Sequence, residues 1–207
     1  MPADPLTLYA KPMLEQPGMV LSFSGWMDGG EVSTGTADYL RRHLHAEPLA
    51  EIDSEEFYIH NFPGSMEVSS MFRPHTKIED GLIAEYDPPS NLFHYSLSQN
   101  LILFEGKEPN LRWREYGDCV FSVAEAFDVR RIYFIGSVAG AVPHTRDARF
   151  SSSMSHESMR QEMEQLGIRF SGYEGPASLV TYLTLEASRR EIEMAALVAE
   201  IPAYIHG

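Results

Sequence analysis

The chain has 207 residues, a formal net charge of −14 at pH 7, 43% hydrophobic and 11% aromatic residues, and one cysteine. That is enough apolar material for a single α/β domain spanning residues 1–207, and no apolar run is long enough to cross a bilayer. The acidity argues against non-specific nucleic-acid binding, which needs a surplus of Lys and Arg, and against anionic membranes.

The opening MPADPLTLYAKPML lacks the basic-then-apolar pattern of a signal peptide, so a cytoplasmic protein is expected. GMVLSFSG reads as a first strand and GGEVSTGTADYLRRHLH as a helix with Val32, Tyr39, Leu40 and Leu44 inward. EPLAEID starts a second strand, and a loop-rich stretch follows from Phe57 to Pro74. GLIAEYD, NLFHYSL and LILFEG read as three strands, with a tight connection between the last two. NLRWREYGDCVFSVAEAFDV is a strong helix in which Cys119 reads as a small core residue. RRIYFIG is a short apolar strand buried on both sides. HESMRQEMEQLG is a polar helix ending at glycine. GPASLVTYLTLEASRREI is a helix with Pro176 placed in its first turn, and EMAALVAEIP is a final strand. This order predicts a three-layer α/β/α sandwich with a mixed, mostly parallel sheet and helices on both faces.

In open α/β sheets ligands bind at the carboxyl ends of the strands. Four loops with functional residue types fall there: SGWMDGGE, EGKEPNLRW, GSVAGAVPHTR and SGYEGPAS. Asp28, Gly29 and Gly30 match neither the dinucleotide fingerprint nor the P-loop. Asp28 with Glu31 is close to a capping box, and a ligand edge is the alternative. Asp53 and Glu56 crowd a strand end as a solvated turn, a pocket wall or a hard-metal site. No His or Cys pair supports a transition metal, and no cofactor or metal is expected. Glu108 and Arg112 share one loop, and Arg112 is expected to pair with Asp28 or Glu56. His144, Thr145 and Arg146 put a base, a hydroxyl and a fixed cation within three positions, with no nucleophile motif beside them. Those residue types suit clamping better than catalysis. Gly175 opens the last loop.

The same segments resemble the proteasome assembly chaperone 2 family. FSGWMDGGEVSTGTADYL is similar to its opening G-[FW]-x-D-[AG]-G block, and AEIDSEEFY to its Ile-Asp-x-Glu-[ED]-Phe-Tyr segment. Arg73-Pro74, LILFEGKEPNLRWREY, the Pro-His-Thr-Arg run and GYEGPASLV follow in the family's order. The resemblance implies a sandwich loosely shared with nucleoside phosphorylases, a homo-oligomer, and a non-catalytic role on protein partners such as proteasome-type subunits. The alternative it leaves is a small-molecule site, for a nucleoside or phosphate-containing metabolite, or a phosphorylase- or hydrolase-like enzyme using the same loops. Members that dock on the proteasome carry a C-terminal hydrophobic-Tyr-any tail, whereas this chain ends Ile205-His206-Gly207. Related members continue with further helix, so a C-terminal helical extension is expected to be lacking.

Overall fold

Four strands rich in buried apolar residues form the centre of the sheet. In the computed structural model, which describes residues 4–204, these are β2 (Gly18–Ser24), β7 (Leu101–Lys107), β8 (Arg131–Gly140) and β11 (Glu193–Pro202). They lie parallel in the order β7-β2-β8-β11. On one side the sheet continues antiparallel through β6 (Leu92–Ser96), β3 (Glu47–Ile52) and β1 (Leu6–Leu8). On the other, β9 (Arg149–Met154) runs antiparallel to β11, and β10 (Arg169–Phe170) runs parallel to β9. The result is one nine-stranded mixed sheet whose parallel character is concentrated at its centre.

Alternation along the strands fixes the layers. Met19, Leu21 and Phe23 of β2, Ile102 and Phe104 of β7, Ile132 and Phe134 of β8 and Met194 of β11 share one core. Tyr116, Val120 and Phe121 of α3 (Trp113–Ala126) and Leu179, Leu183 and Ala187 of α5 (Leu179–Arg189) complete it. Each large side chain removed from water there contributes about 2 kcal/mol. Cys119 lies in this core, and burial pushes its thiol up to about 11.

The intervening positions face the opposite layer. Ser22 of β2 meets Ser33 of α1 (Val32–His43). Ala195 of β11 packs with Met159 and Met163 of the turn leading into and through α4 (Arg160–Gln165). Helices therefore cover both faces, as the sequence predicts.

Three local expectations are corrected. Tyr39 is exposed and stacks on His43 at 5.4 Å; Ser33 and Ala37 are the buried positions of α1. The last helix starts at Leu179, three residues beyond Pro176, with the Ser178 hydroxyl accepting from the Thr181 N–H at 3.2 Å. The loop-rich stretch holds a short helix, α2 (Met66–Ser70), and leads into a separate hairpin of β4 (His75–Glu79) and β5 (Leu82–Asp87). Every residue of that hairpin is exposed. Residues 205–207, including the terminal motif, lie outside the described residues.

Candidate functional site at the carboxyl edge of the sheet

The register aligns Ser24 with Lys107 and Pro202 with Gly140, so the loops after β2, β7 and β8 leave the sheet along one edge. The β2–α1 loop folds back over that edge. Met27 O accepts from the Ser137 N–H at 2.9 Å, and the Ser137 hydroxyl donates to Gly29 O at 2.6 Å. This close approach requires Gly136, because a Cβ there would lie 2.5 Å from the Phe134 ring and 2.8 Å from Met27 O. Gly30 sits in the left-handed region at φ 59°.

Asp28 caps α1 by reaching forward. Its Oδ1 accepts from the Ser33 N–H at 2.7 Å and the Thr34 N–H at 3.2 Å, and its Oδ2 from the Thr34 hydroxyl at 2.7 Å. Two of the helix's orphan N–H groups are satisfied this way. Glu31 makes no reciprocal bond, so the arrangement is a single-sided cap and not the capping box.

Glu108 ties two loops together. Its Oε2 accepts from the Trp26 N–H at 3.1 Å and its Oε1 from the Leu179 N–H at 2.9 Å, so one carboxylate joins the β2–α1 loop to the start of α5. Arg112, at the start of α3, pairs with Glu56 and Glu115 and lies over the Phe57 ring at 5.7 Å. Of the two carboxylates expected for it, Glu56 is the partner. Asp53 closes a turn by accepting from the Glu55 N–H at 3.0 Å. Arg112 and Glu56 line a cleft beside α3 with Asp4, Asp118 and Cys119, separate from the edge that holds Asp28 and Glu108.

The Pro-His-Thr-Arg loop is anchored to the far end of the chain. The Tyr204 hydroxyl accepts from the His144 N–H at 2.8 Å and lies 2.7 Å from Nδ1. Thr145 and Arg146 are exposed, in a turn closed by the Arg146 N–H on Pro143 O at 3.3 Å.

Two clefts open on this edge. One, of about 350 Å³, is lined by both signs of charge, Arg73 and Lys107 against Asp87 and Glu105, with His75 beside them. Burial raises the Glu105 pKa, with Arg41 opposing the shift from 3.0 Å. The other, of about 380 Å³, lies among Trp26 and Met27, Val138 and Ala139, the serines of β9, and Ser171, Tyr173 and Ser178. Gly175 shapes it: a Cβ there would meet the Tyr173 hydroxyl oxygen at 2.3 Å, and without one that hydroxyl reaches Pro176 O at 3.1 Å.

Behind the edge sits a polar hub that sequence reasoning does not single out. Asn91 is fully buried, and its Oδ1 stands 2.7 Å from the Tyr58 hydroxyl, 2.8 Å from the Tyr116 hydroxyl and 3.2 Å from the Lys107 N–H. Its Nδ2 donates to Ile52 O at 3.3 Å. Burial pushes Tyr58 up to about 12 and also raises Tyr116 well above its ordinary value. A lone Asn between DPPS and a strand carries no motif that would betray this role. Trp26 and Tyr173 lie inside recognised segments, and Ser151, Ser152 and Ser153 have only their triplet as a signal. Among the described residues no group of three or more His, Cys, Asp or Glu could hold a metal ion, and no helix is long and apolar enough to cross a membrane.

The model of the PAC2 family matches residues 22–206. Among solved structures, a proteasome-assembly chaperone homologue of Mycobacterium tuberculosis is 25% identical, with a TM-score of 0.77 over 91% of this chain and 77% of that one. A PAC2 family protein from Streptomyces avermitilis is 25% identical, with a TM-score of 0.75 over 92% and 77%. The fold is shared with PbaA of Pyrococcus furiosus, an archaeal homolog of proteasome-assembly chaperone, at 17% identity and a TM-score of 0.67 over 95% and 76%. No curated protein matches the chain.

Proposed function

This chain belongs to the PAC2 family, and from that premise we propose that it is a homo-oligomeric, non-catalytic protein that holds other protein subunits in the manner of an assembly chaperone. The observation that carries this reading is the arm between β3 and β6. Its hairpin exposes Ile78, Leu82, Ile83 and Tyr86 by 60% or more, and the stretch leading to it exposes Met66 and Met71 by 86% and 76%. A two-stranded hairpin is marginal by itself in water, and clustered exposed apolar side chains mark a protein-contact surface. The likeness to proteins described as proteasome-assembly chaperone homologues supports the same reading. The carboxyl-edge residues fit it as supports: Asp28, Glu108 and His144 are each engaged in holding a loop, and Arg112 is tied to Glu56 in the separate cleft beside α3.

Native mass spectrometry of the protein recovered gently from its own cells tests this. The expected result is a closed multiple of the chain mass, together with complexes carrying a second protein in fixed stoichiometry. A monomer with no protein attached would overturn it.

A further inference from the structure

We propose that the serine-lined cleft beside α5 binds a small, uncharged molecule with a flat or ring face and several hydroxyl groups, the chemistry shared by nucleosides and glycosides. The inference goes beyond the protein-holding role and does not depend on it. At about 380 Å³ the cleft is within the size range of small-ligand sites. Trp26 and Tyr173, 67% and 66% exposed, stand among its lining residues. Large rings left in water beside a cavity offer apolar faces for another ring to stack on. Met27 and Val138 supply apolar wall.

Hydroxyls supply the polar half. Ser152 is 1% exposed, yet among the described residues its hydroxyl meets only the Ser153 carbonyl, at 3.3 Å. The hydroxyl proton is taken by that carbonyl, so the oxygen keeps acceptor capacity for a donor entering the cleft. Charge then narrows the ligand. Among the described residues no Lys, Arg, Asp or Glu lines this cleft. The start of α5 beside it has its first N–H occupied by the Glu108 carboxylate, which repels an anion where a phosphate would otherwise dock. A neutral polyol fits these walls; its phosphorylated form does not.

The test is calorimetric titration of the full chain with adenosine and with methyl β-glucoside, each paired with a phosphorylated counterpart, AMP and glucose 6-phosphate. Binding of at least one neutral probe is expected, more tightly than its phosphorylated counterpart, and the stronger of the two identifies the source of the ring. Trp26→Ala and Tyr173→Ala, both truncations of exposed side chains, should each weaken that binding about tenfold while the melting temperature of the free protein holds. Absence of binding by both neutral probes at millimolar concentration would overturn the inference. So would tighter binding of the phosphorylated forms, or affinity unchanged in both variants.

Discussion

The Tyr204 hydroxyl bonds His144 twice, accepting from its backbone N–H at 2.8 Å and standing 2.7 Å from its ring Nδ1. The tip of the β8–β9 loop is thereby pinned to the strand end after β11. Tyr204→Phe removes both bonds and keeps the ring. The expected outcome is faster amide hydrogen exchange at His144, with global stability lowered by no more than about 1 kcal/mol, because both groups are exposed. Unchanged exchange there would show that the loop is held by other means.

Asn91 makes a different prediction, because it is buried and its oxygen is shared among three donors. Asn91→Ala leaves two tyrosine hydroxyls competing for the Lys107 carbonyl, which lies 2.6 Å from Tyr58 and 3.3 Å from Tyr116. A loss on the order of 3 kcal/mol is expected in denaturant unfolding. A loss below about 1 kcal/mol would mean that the hub is dispensable.

Glu108 is both a loop strap and a helix cap. Glu108→Gln keeps the shape but leaves only one acceptor oxygen for the N–H groups of Trp26 and Leu179. Destabilisation of about 1 kcal/mol is expected. Exchange at Trp26 or Leu179 should rise in the variant, and protection unchanged at both would refute the strap.

His94 gives the pH prediction. It is 8% exposed, its Nδ1 has no hydrogen-bond partner among the described residues, and burial, with the Arg41 charge second, lowers its pKa below the ordinary 6.5. Below that ordinary value the unfolded chain takes the proton first. Stability is therefore whole above pH 6.5 and is lost as the pH falls from there through the depressed folded value. His94→Phe should flatten this slope in unfolding measured between about pH 7 and pH 5. An identical slope in the variant would assign the acid sensitivity elsewhere.

The exposed arm predicts a separation of assembly from folding. Leu82→Asp and Ile83→Asp place charge on side chains already in water in the single chain, so its unfolding midpoint should move by less than about 0.5 kcal/mol equivalent. Sedimentation should nevertheless show a smaller species than the unsubstituted protein. The same sedimentation coefficient in both would remove the arm from the interface.

The sheet's centre was legible because burial on both sides leaves continuous apolar runs: IYFI of β8 and MAALVA of β11 leave little room for another reading. β9 was not, since RFSSSM has no periodicity of its own and is a strand because β11 pairs with it from Glu200–Arg149 to Ala195–Met154. β4 and β5 were half legible. LIAEYD looks like a strand, whereas HTKIE becomes one only through its partner, and neither gains the buried face that produces alternation. At the edge, the segments were readable and the bonds were not. Asp28 could be read as a cap, but its reach to Ser33 and Thr34 depends on the turn of Gly29–Glu31. Pro176 signalled a helix start, yet Ser178 took the cap, and the Gly175-Pro176 pair instead seats Tyr173.

The margins of the sheet have a consequence of their own. β1 offers three residues and β10 two, so neither rim presents a row of unpaired N–H and C=O groups long enough to template a foreign strand. Growth by backbone zippering, the route to fibrils, is closed at both rims. The longer strand edges left in water are those of β4 and β5, five and six residues long, so backbone pairing between chains is open at the arm and not at the rims of the large sheet.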